Sequence, residues 1–201
     1  MQLDQILSYL MEVYQPHTII AYGSFATDSY LPGSDFDVVV LTDHSSSGSD
    51  MTVIGGVPLD AQIYGTRDWA ENYTPAEFVP LYGGKILLDE QGLGKQILHD
   101  VKKYVLHHSK RTDEEKALIR IKTRKLYQRA QKADTEGMYR LHQLLSESLS
   151  LYCSLHDLSY IGPRQAMLWM EKHHPEDLIL FDRALRDMAA MEDWMELLLN
   201  G

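Results

Sequence analysis

Three acidic side chains define the chemistry this sequence can offer. Asp35 and Asp37 stand two residues apart in Ser34-Asp35-Phe36-Asp37-Val38-Val39-Val40. Side chains two apart on an extended strand leave the same face, roughly 6.5 to 7 Å from each other at the backbone. Two carboxylates so placed repel each other unless a cation sits between them. Hard oxygen ligands of this kind favour magnesium, which also takes phosphate oxygens as ligands. Asp60 follows the same logic. In Val57-Pro58-Leu59-Asp60-Ala61-Gln62-Ile63-Tyr64, Leu59, Ala61 and Ile63 share one face and Asp60 points to the other. If this strand lies beside Phe36–Leu41, the three carboxylates face one pocket. They are then candidate catalytic residues and candidate ligands for two Mg2+ ions.

Upstream, Gly23-Ser24 closes a strand and opens a segment able to form a helical turn. Free backbone N–H groups there attract anions, and a glycine lets a phosphate come close to the backbone. The hydroxyls of Ser24 and Ser34 add donors. Gly23, Ser24 and Ser34 are thus candidate phosphate-binding residues.

The elements that must hold these groups alternate in the first half of the chain. Leu3, Ile6, Leu7, Leu10, Met11 and Tyr14 recur at helical spacing and predict an opening helix that stops before Pro16. Thr18–Tyr22, Phe36–Leu41 and Lys85–Leu88 read as strands. Thr52–Ile54, Gly55-Gly56 and Val57–Tyr64 read as a hairpin. His44 to Asp50 reads as a polar loop. Thr74-Pro75-Ala76-Glu77 has a capping-box pattern that predicts a helix start. From Leu93 the pattern is helical. A second capping box lies at Thr112-Asp113-Glu114-Glu115, and helices follow over 136–158 and 163–173. One last helix after Pro175 carries Leu178, Phe181, Leu185, Met188 and Trp194. The expected fold class is α+β: an α/β domain with a small mixed sheet over residues 1–92, then a helical bundle over 93–201.

At Gly23-Ser24, a gap of about ten residues, and Ser34-Asp35-Phe36-Asp37 on a hydrophobic strand, the sequence resembles the DNA polymerase beta-type nucleotidyltransferase superfamily, especially its small bacterial members. Asp60 matches the third acidic position. The specific match covers Thr18 to Tyr64, and the two-part layout is similar to that of aminoglycoside nucleotidyltransferases. The resemblance implies that Asp35 and Asp37 are metal ligands, that Asp60 is a ligand or general base, and that Gly23 and Ser24 hold the triphosphate. It implies transfer of a nucleoside monophosphate, AMP from ATP most simply, to a hydroxyl of a small-molecule or protein acceptor that the sequence does not identify. Family members often carry a basic residue and a glycine shortly after Gly-Ser; this chain has Thr27 and Asp28 there. A replacement cation is then to be sought in the basic helix after Thr112, at Lys116, Arg120 or Arg124, although a solvated amphipathic helix explains the same residues.

The remaining composition narrows the classes. The 201 residues carry a formal net charge of −10, which disfavours nucleic acid as the main partner. No apolar run reaches the roughly 20 residues of a membrane span, and Met1 to Gln5 lacks a signal-peptide start. A single cysteine excludes an internal disulfide and suits a reducing cytoplasm. Cys153 reads as a buried filler, and Trp69, Trp169 and Trp194 as core or interface aromatics. His107-His108 and His173-His174 lack the companions of a zinc site. A homodimer is compatible with this reading. The rival class is an antitoxin-like or other partner-binding module with a vestigial nucleotide site; a metal-dependent phosphohydrolase would share the carboxylates but not the need for Gly-Ser.

Overall fold

The computed structural model describes residues 2–27, 30–44, 47–132 and 134–200. The chain divides into two compact units, Met1–Val105 and Leu106–Gly201.

In the first unit the elements run α1 (Gln2–Tyr14), β1 (Thr18–Ala21), α2 (Gly23–Ala26), β2 (Phe36–Thr42), β3 (Gly48–Asp50), β4 (Val53–Ile54), β5 (Val57–Gly65), α3 (Thr66–Asn72), β6 (Lys85–Asp89) and α4, which begins at Leu93. The sheet order is β3-β5-β2-β1-β6, with β4 folded onto β5. β2 and β5 run parallel, and the other pairs are antiparallel. The sheet is therefore mixed, as expected. β2, Phe-Asp-Val-Val-Val-Leu-Thr, is buried on both faces apart from Asp37, which explains its nearly unbroken apolar run. β5 instead alternates buried and half-buried residues along its length. Its inward set, Leu59, Ala61 and Ile63, packs with Phe36, Val38 and Val40 of β2 and Ile6 and Leu10 of α1. One face of the sheet is thus a closed core, and Asp37, Asp60 and Gln62 are left for the other. Between β4 and β5, Gly55 and Gly56 have φ of 57° and 85°. Two positive φ values in sequence are what a tight type I′ connection requires.

Two local expectations for this unit differ from the structure. Residues 44–50 are not all loop: Gly48–Asp50 forms an edge strand on β5. Its polar composition hides it, because its anchor is a buried carboxylate and not an apolar stripe. Asp50 Oδ2 accepts from Tyr9 at 2.9 Å and from Tyr14 at 2.8 Å, both on α1, and Oδ1 accepts from the Thr52 amide at 2.9 Å. No helix starts at Thr74. The chain turns there and makes only a 3-10 turn at Val79–Leu81, because Pro80 cannot donate into a continuing helix. The helix lies upstream at Thr66–Asn72, where Gly65 at the N-cap offers no side-chain signature.

Burial of Asp50 would raise its pKa, but the bonds from Thr52, Tyr14 and Tyr9 outweigh this and hold it below the usual carboxylate range. A carboxyl lowered on folding adds stability above the unfolded value of about 3.9, and that stability is lost as pH falls through the folded value. Asp50→Ala is expected to cost about 2 to 4 kcal/mol at pH 7, from two or three charge-assisted bonds. The deficit should shrink below about pH 4. Urea melts of both proteins at pH 7 and 3 check this, and an equal deficit at both pH values contradicts it.

The second unit holds α5 (Asp113–Ala130), α6 (Thr135–Leu155), α7 (Pro163–His173), α8 (Pro175–Arg186) and α9 (Met188–Asn200). The capping box at Thr112 is complete: the Glu115 amide donates to Thr112 Oγ1 at 3.2 Å, and the Thr112 amide donates to Glu115 Oε2 at 2.8 Å. The core gathers Leu144, Leu149, Tyr152, Met170, Phe181 and Trp194, and the indole of Trp194 donates to Ser148 Oγ at 2.8 Å. The single helix expected after Pro175 divides at Asp187, which is extended and accepts the Ala189 amide at 3.0 Å. That side-chain cap restarts the helix as α9, and apolar periodicity alone does not reveal it. Cys153 is buried, with its thiol pushed up to about 11 by burial, as a filler should be. Trp69 and Trp194 are buried core residues, and Trp169 is partly buried. No described helix is long and apolar enough to cross a membrane.

Candidate active site

The parallel pairing of β2 with β5 sets Asp37 level with Asp60, and Val39 level with Gln62. Asp35 precedes β2 by one residue and adds a third carboxylate. One oxygen from each of Asp35, Asp37 and Asp60 can be chosen so that all lie within 4.8 Å of one another. Asp35 is exposed, while Asp37 and Asp60 are half-buried. This triad is the one group of three or more metal-compatible side chains among the described residues.

The electrostatics follow from the geometry. Two charges 4 to 5 Å apart at an effective dielectric of about 20 repel by roughly 3 to 4 kcal/mol. Among the described residues no lysine or arginine forms an ion pair with the triad. The Asp37 carboxyl is accordingly pushed up to about 6, first by burial and then by Asp35 and Asp60. A hard, oxygen-only, over-negative cluster of this kind fits a divalent cation such as magnesium.

Gly23 shapes the cluster directly. Its φ is 64°, and a Cβ built there would fall on Oδ2 of Asp37. Absence of a side chain lets the start of α2 lie against the carboxylate. Ser24, half-buried, follows on α2. Ser34 sits at the end of a turn: its hydroxyl accepts the Leu31 amide at 2.9 Å, and its own amide donates to the Leu31 carbonyl at 2.9 Å. Its visible job is to close the loop before β2. Thr27 Oγ1 donates to the Gly23 and Ser24 carbonyls, each at 3.2 Å. Asp28 lies outside the described residues. Within the helical unit, Lys116 pairs with Asp157 at 2.7 Å, and Arg124 donates to the Leu199 carbonyl and to Asn200. Arg120 lines a small cavity with Tyr152 and Asp177.

Two neighbours of the triad, Tyr22 and Gln62, have no counterpart in the sequence motif. Tyr22 follows β1, whose register with β2 continues to the Tyr22 amide bonding the Asp37 carbonyl at 3.0 Å. Its hydroxyl is pushed up to about 12, by burial first and then by Asp37 and Asp60, so it stays a neutral donor. Gln62 and Tyr64 continue the Asp60 face of β5. The Gln62 amide reaches Asp60 Oδ1 at 3.2 Å. Tyr64 packs edge-on against Trp69 and Phe78. Period-two reading of β5 beyond Asp60 is the signal that finds Gln62 and Tyr64; Tyr22 needs the β1–β2 register.

A family model described as a nucleotidyltransferase domain matches residues 3–143. The chain belongs to that family. The resemblance carried by Gly23-Ser24 and Ser34 to Asp37 is thereby borne out, as is the α+β class. A nucleotidyltransferase domain supports nucleotidyl transfer, and such domains typically use a divalent metal with a nucleoside triphosphate. The triad is compatible with that use. Among solved structures, a nucleotidyltransferase-like protein from Exiguobacterium sibiricum 255-15 is similar at 13% identity with a TM-score of 0.39. The match covers 98% of this chain and 71% of that one. No curated protein matches the sequence.

Proposed function

We propose that this nucleotidyltransferase-family protein moves a nucleoside monophosphate, AMP from ATP in the simplest case, onto a hydroxyl of a small-molecule or protein acceptor. The supporting observation is the convergence of carboxylate oxygens from Asp35, Asp37 and Asp60 within 4.8 Å, with Asp37 and Asp60 level on the β2–β5 pair and Asp35 just before β2. Divalent cations held by the three, two where both can be seated, would offset the triphosphate charge and make the acceptor hydroxyl more acidic.

The chain's own residues account for the rest. Asp35 and Asp37 supply oxygens from the entry and first rungs of β2. Gly23 lets the start of α2 lie against Asp37, and Gly23 and Ser24 are the residues that would hold the triphosphate. As the acceptor oxygen bonds to the α-phosphorus, the bond from that phosphorus to the pyrophosphate oxygen breaks. Asp60 takes the proton from the acceptor, and pyrophosphate leaves. Positioning and charge neutralisation supply most of the acceleration in such in-line transfer.

The test is incubation with α-labelled ATP, magnesium and a panel of aminoglycosides, lincosamides and lysate proteins. Label should move to an acceptor, and an Asp35→Asn, Asp37→Asn double change or EDTA should stop it. Inorganic phosphate released with no label transferred would replace this reading with a phosphohydrolase. Partner binding that survives the double change, with no turnover on any acceptor, would replace it with a binding module.

A further inference from the structure

We infer that Gln62 is a positioning residue for Asp60, fixing which carboxylate oxygen faces the cation; this rests on the metal-dependent transfer proposed above.

The three carboxylates are held in unequal ways. Asp37 is confined on one side by the backbone of Gly23, against which its Oδ2 packs. Asp35 is exposed before the strand begins. Asp60 sits on a regular strand, where its short side chain keeps a broad choice of terminal torsion. What narrows that choice is the next residue on the same face. Gln62 lies two along on β5, is half-buried, and reaches back to place Nε2 at 3.2 Å from Asp60 Oδ1. A carboxylate only accepts, so the amide nitrogen, not its oxygen, is the atom that faces it. With Oδ1 held by a donor on the sheet side, Oδ2 is the oxygen left for the cation or for the acceptor proton. Hydrogen bonds of this outer kind orient a ligand and tune its basicity, and their loss costs roughly 10- to 100-fold in metal affinity or activity.

Gln62 is level with Val39 of β2 and with Ser49 of β3, so neither strand neighbour offers Asp60 a replacement amide. Gln62→Met keeps the length and packing of the side chain while removing the donor, and Gln62→Ala provides a second variant should methionine distort the strand.

The experiment titrates the full-length proteins with Mn2+ alone, followed by electron paramagnetic resonance, with Asp60→Asn alongside. Gln62→Met is expected to weaken Mn2+ binding by about tenfold or more while its melting temperature stays at that of the parent. Once an acceptor is in hand, kcat should fall while KM for that acceptor holds, a split that loss of packing would not give. Mn2+ affinity unchanged in both Gln62 variants but lowered in Asp60→Asn overturns the positioning role and leaves the functional reading standing. No Mn2+ binding by the parent, or equal binding by Asp60→Asn and parent, overturns the functional reading itself.

Discussion

An Asp37→Asn protein is expected to lose nucleotidyl transfer about a thousandfold, which corresponds to roughly 4 kcal/mol of barrier, yet to melt higher than its parent when metal-free. Both results follow from one arrangement. Asp37 is a half-buried member of a triad whose oxygens come within 4.8 Å, and its carboxyl is pushed up to about 6 by burial and by its two neighbours. An amide cannot supply the anionic oxygen that a hard cation needs. It also carries no charge for Asp35 and Asp60 to repel. The gain in the metal-free state is on the order of 1 kcal/mol after solvent screening, or about 2 to 4 °C for a chain of this size. The sign with pH is fixed. The folded carboxyl titrates above the unfolded value of about 3.9, so the folded state binds the extra proton between the two values. The stability this gives the parent is complete below about pH 4 and is lost as pH rises through 6. The variant, which has no such proton, should therefore match the parent near pH 4 and exceed it at pH 7. Thermal melts in EDTA across that range test the stability half, and magnesium should stabilise the parent alone. A variant that melts lower than the parent at pH 7 in EDTA, or gains equally from magnesium, would falsify the shared origin.

The same arrangement explains how much of the molecule the sequence discloses. The pairing of Asp37 with Asp60 follows from short-range information. Period two within each strand sets the faces, and the valine run of β2 and the alternation of β5 mark two strands that must bury a common side. The capping box at Thr112 is likewise a local signal and is present as read. Features set by distant partners stay hidden. The edge strand at Gly48–Asp50 depends on two tyrosines some forty residues earlier, both bonding Asp50. The helix at Thr66–Asn72 has a glycine where a capping side chain would announce it, while the capping pattern at Thr74 is overruled by Pro80. The break at Asp187 leaves the apolar spacing intact, so only the side-chain cap on Ala189 shows it. At the site, the motif names the ligands but not Gln62 or Tyr22, whose roles come from the face and register they share with those ligands.

Replacing Gly23 by alanine is expected to cost transfer at least about a hundredfold, in the range seen when one preorganised group of a catalytic site is displaced, while the protein stays folded. Two effects act at this position and must be separated. The first is backbone strain, since φ of 64° suits glycine and costs an alanine about 1 kcal/mol. The second is collision: the new methyl would fall on Oδ2 of Asp37, the end of a short side chain rooted in the middle of the sheet. β2 cannot yield, because Phe36 and Val38 on either side of Asp37 are buried in the core shared with α1. The carboxylate must therefore turn away, and the three oxygens no longer converge. Gly56 isolates the first effect. It has φ of 85° in the β4–β5 connection, and an added Cβ there meets nothing within 4 Å. Gly56→Ala should lose similar stability and keep both Mn2+ affinity and turnover. Gly23→Ala should lose both at a comparable melting temperature. Equal turnover in the two alanine variants would mean that Asp37 has another way to reach its partners, and that contact with Gly23 is not what sets its position.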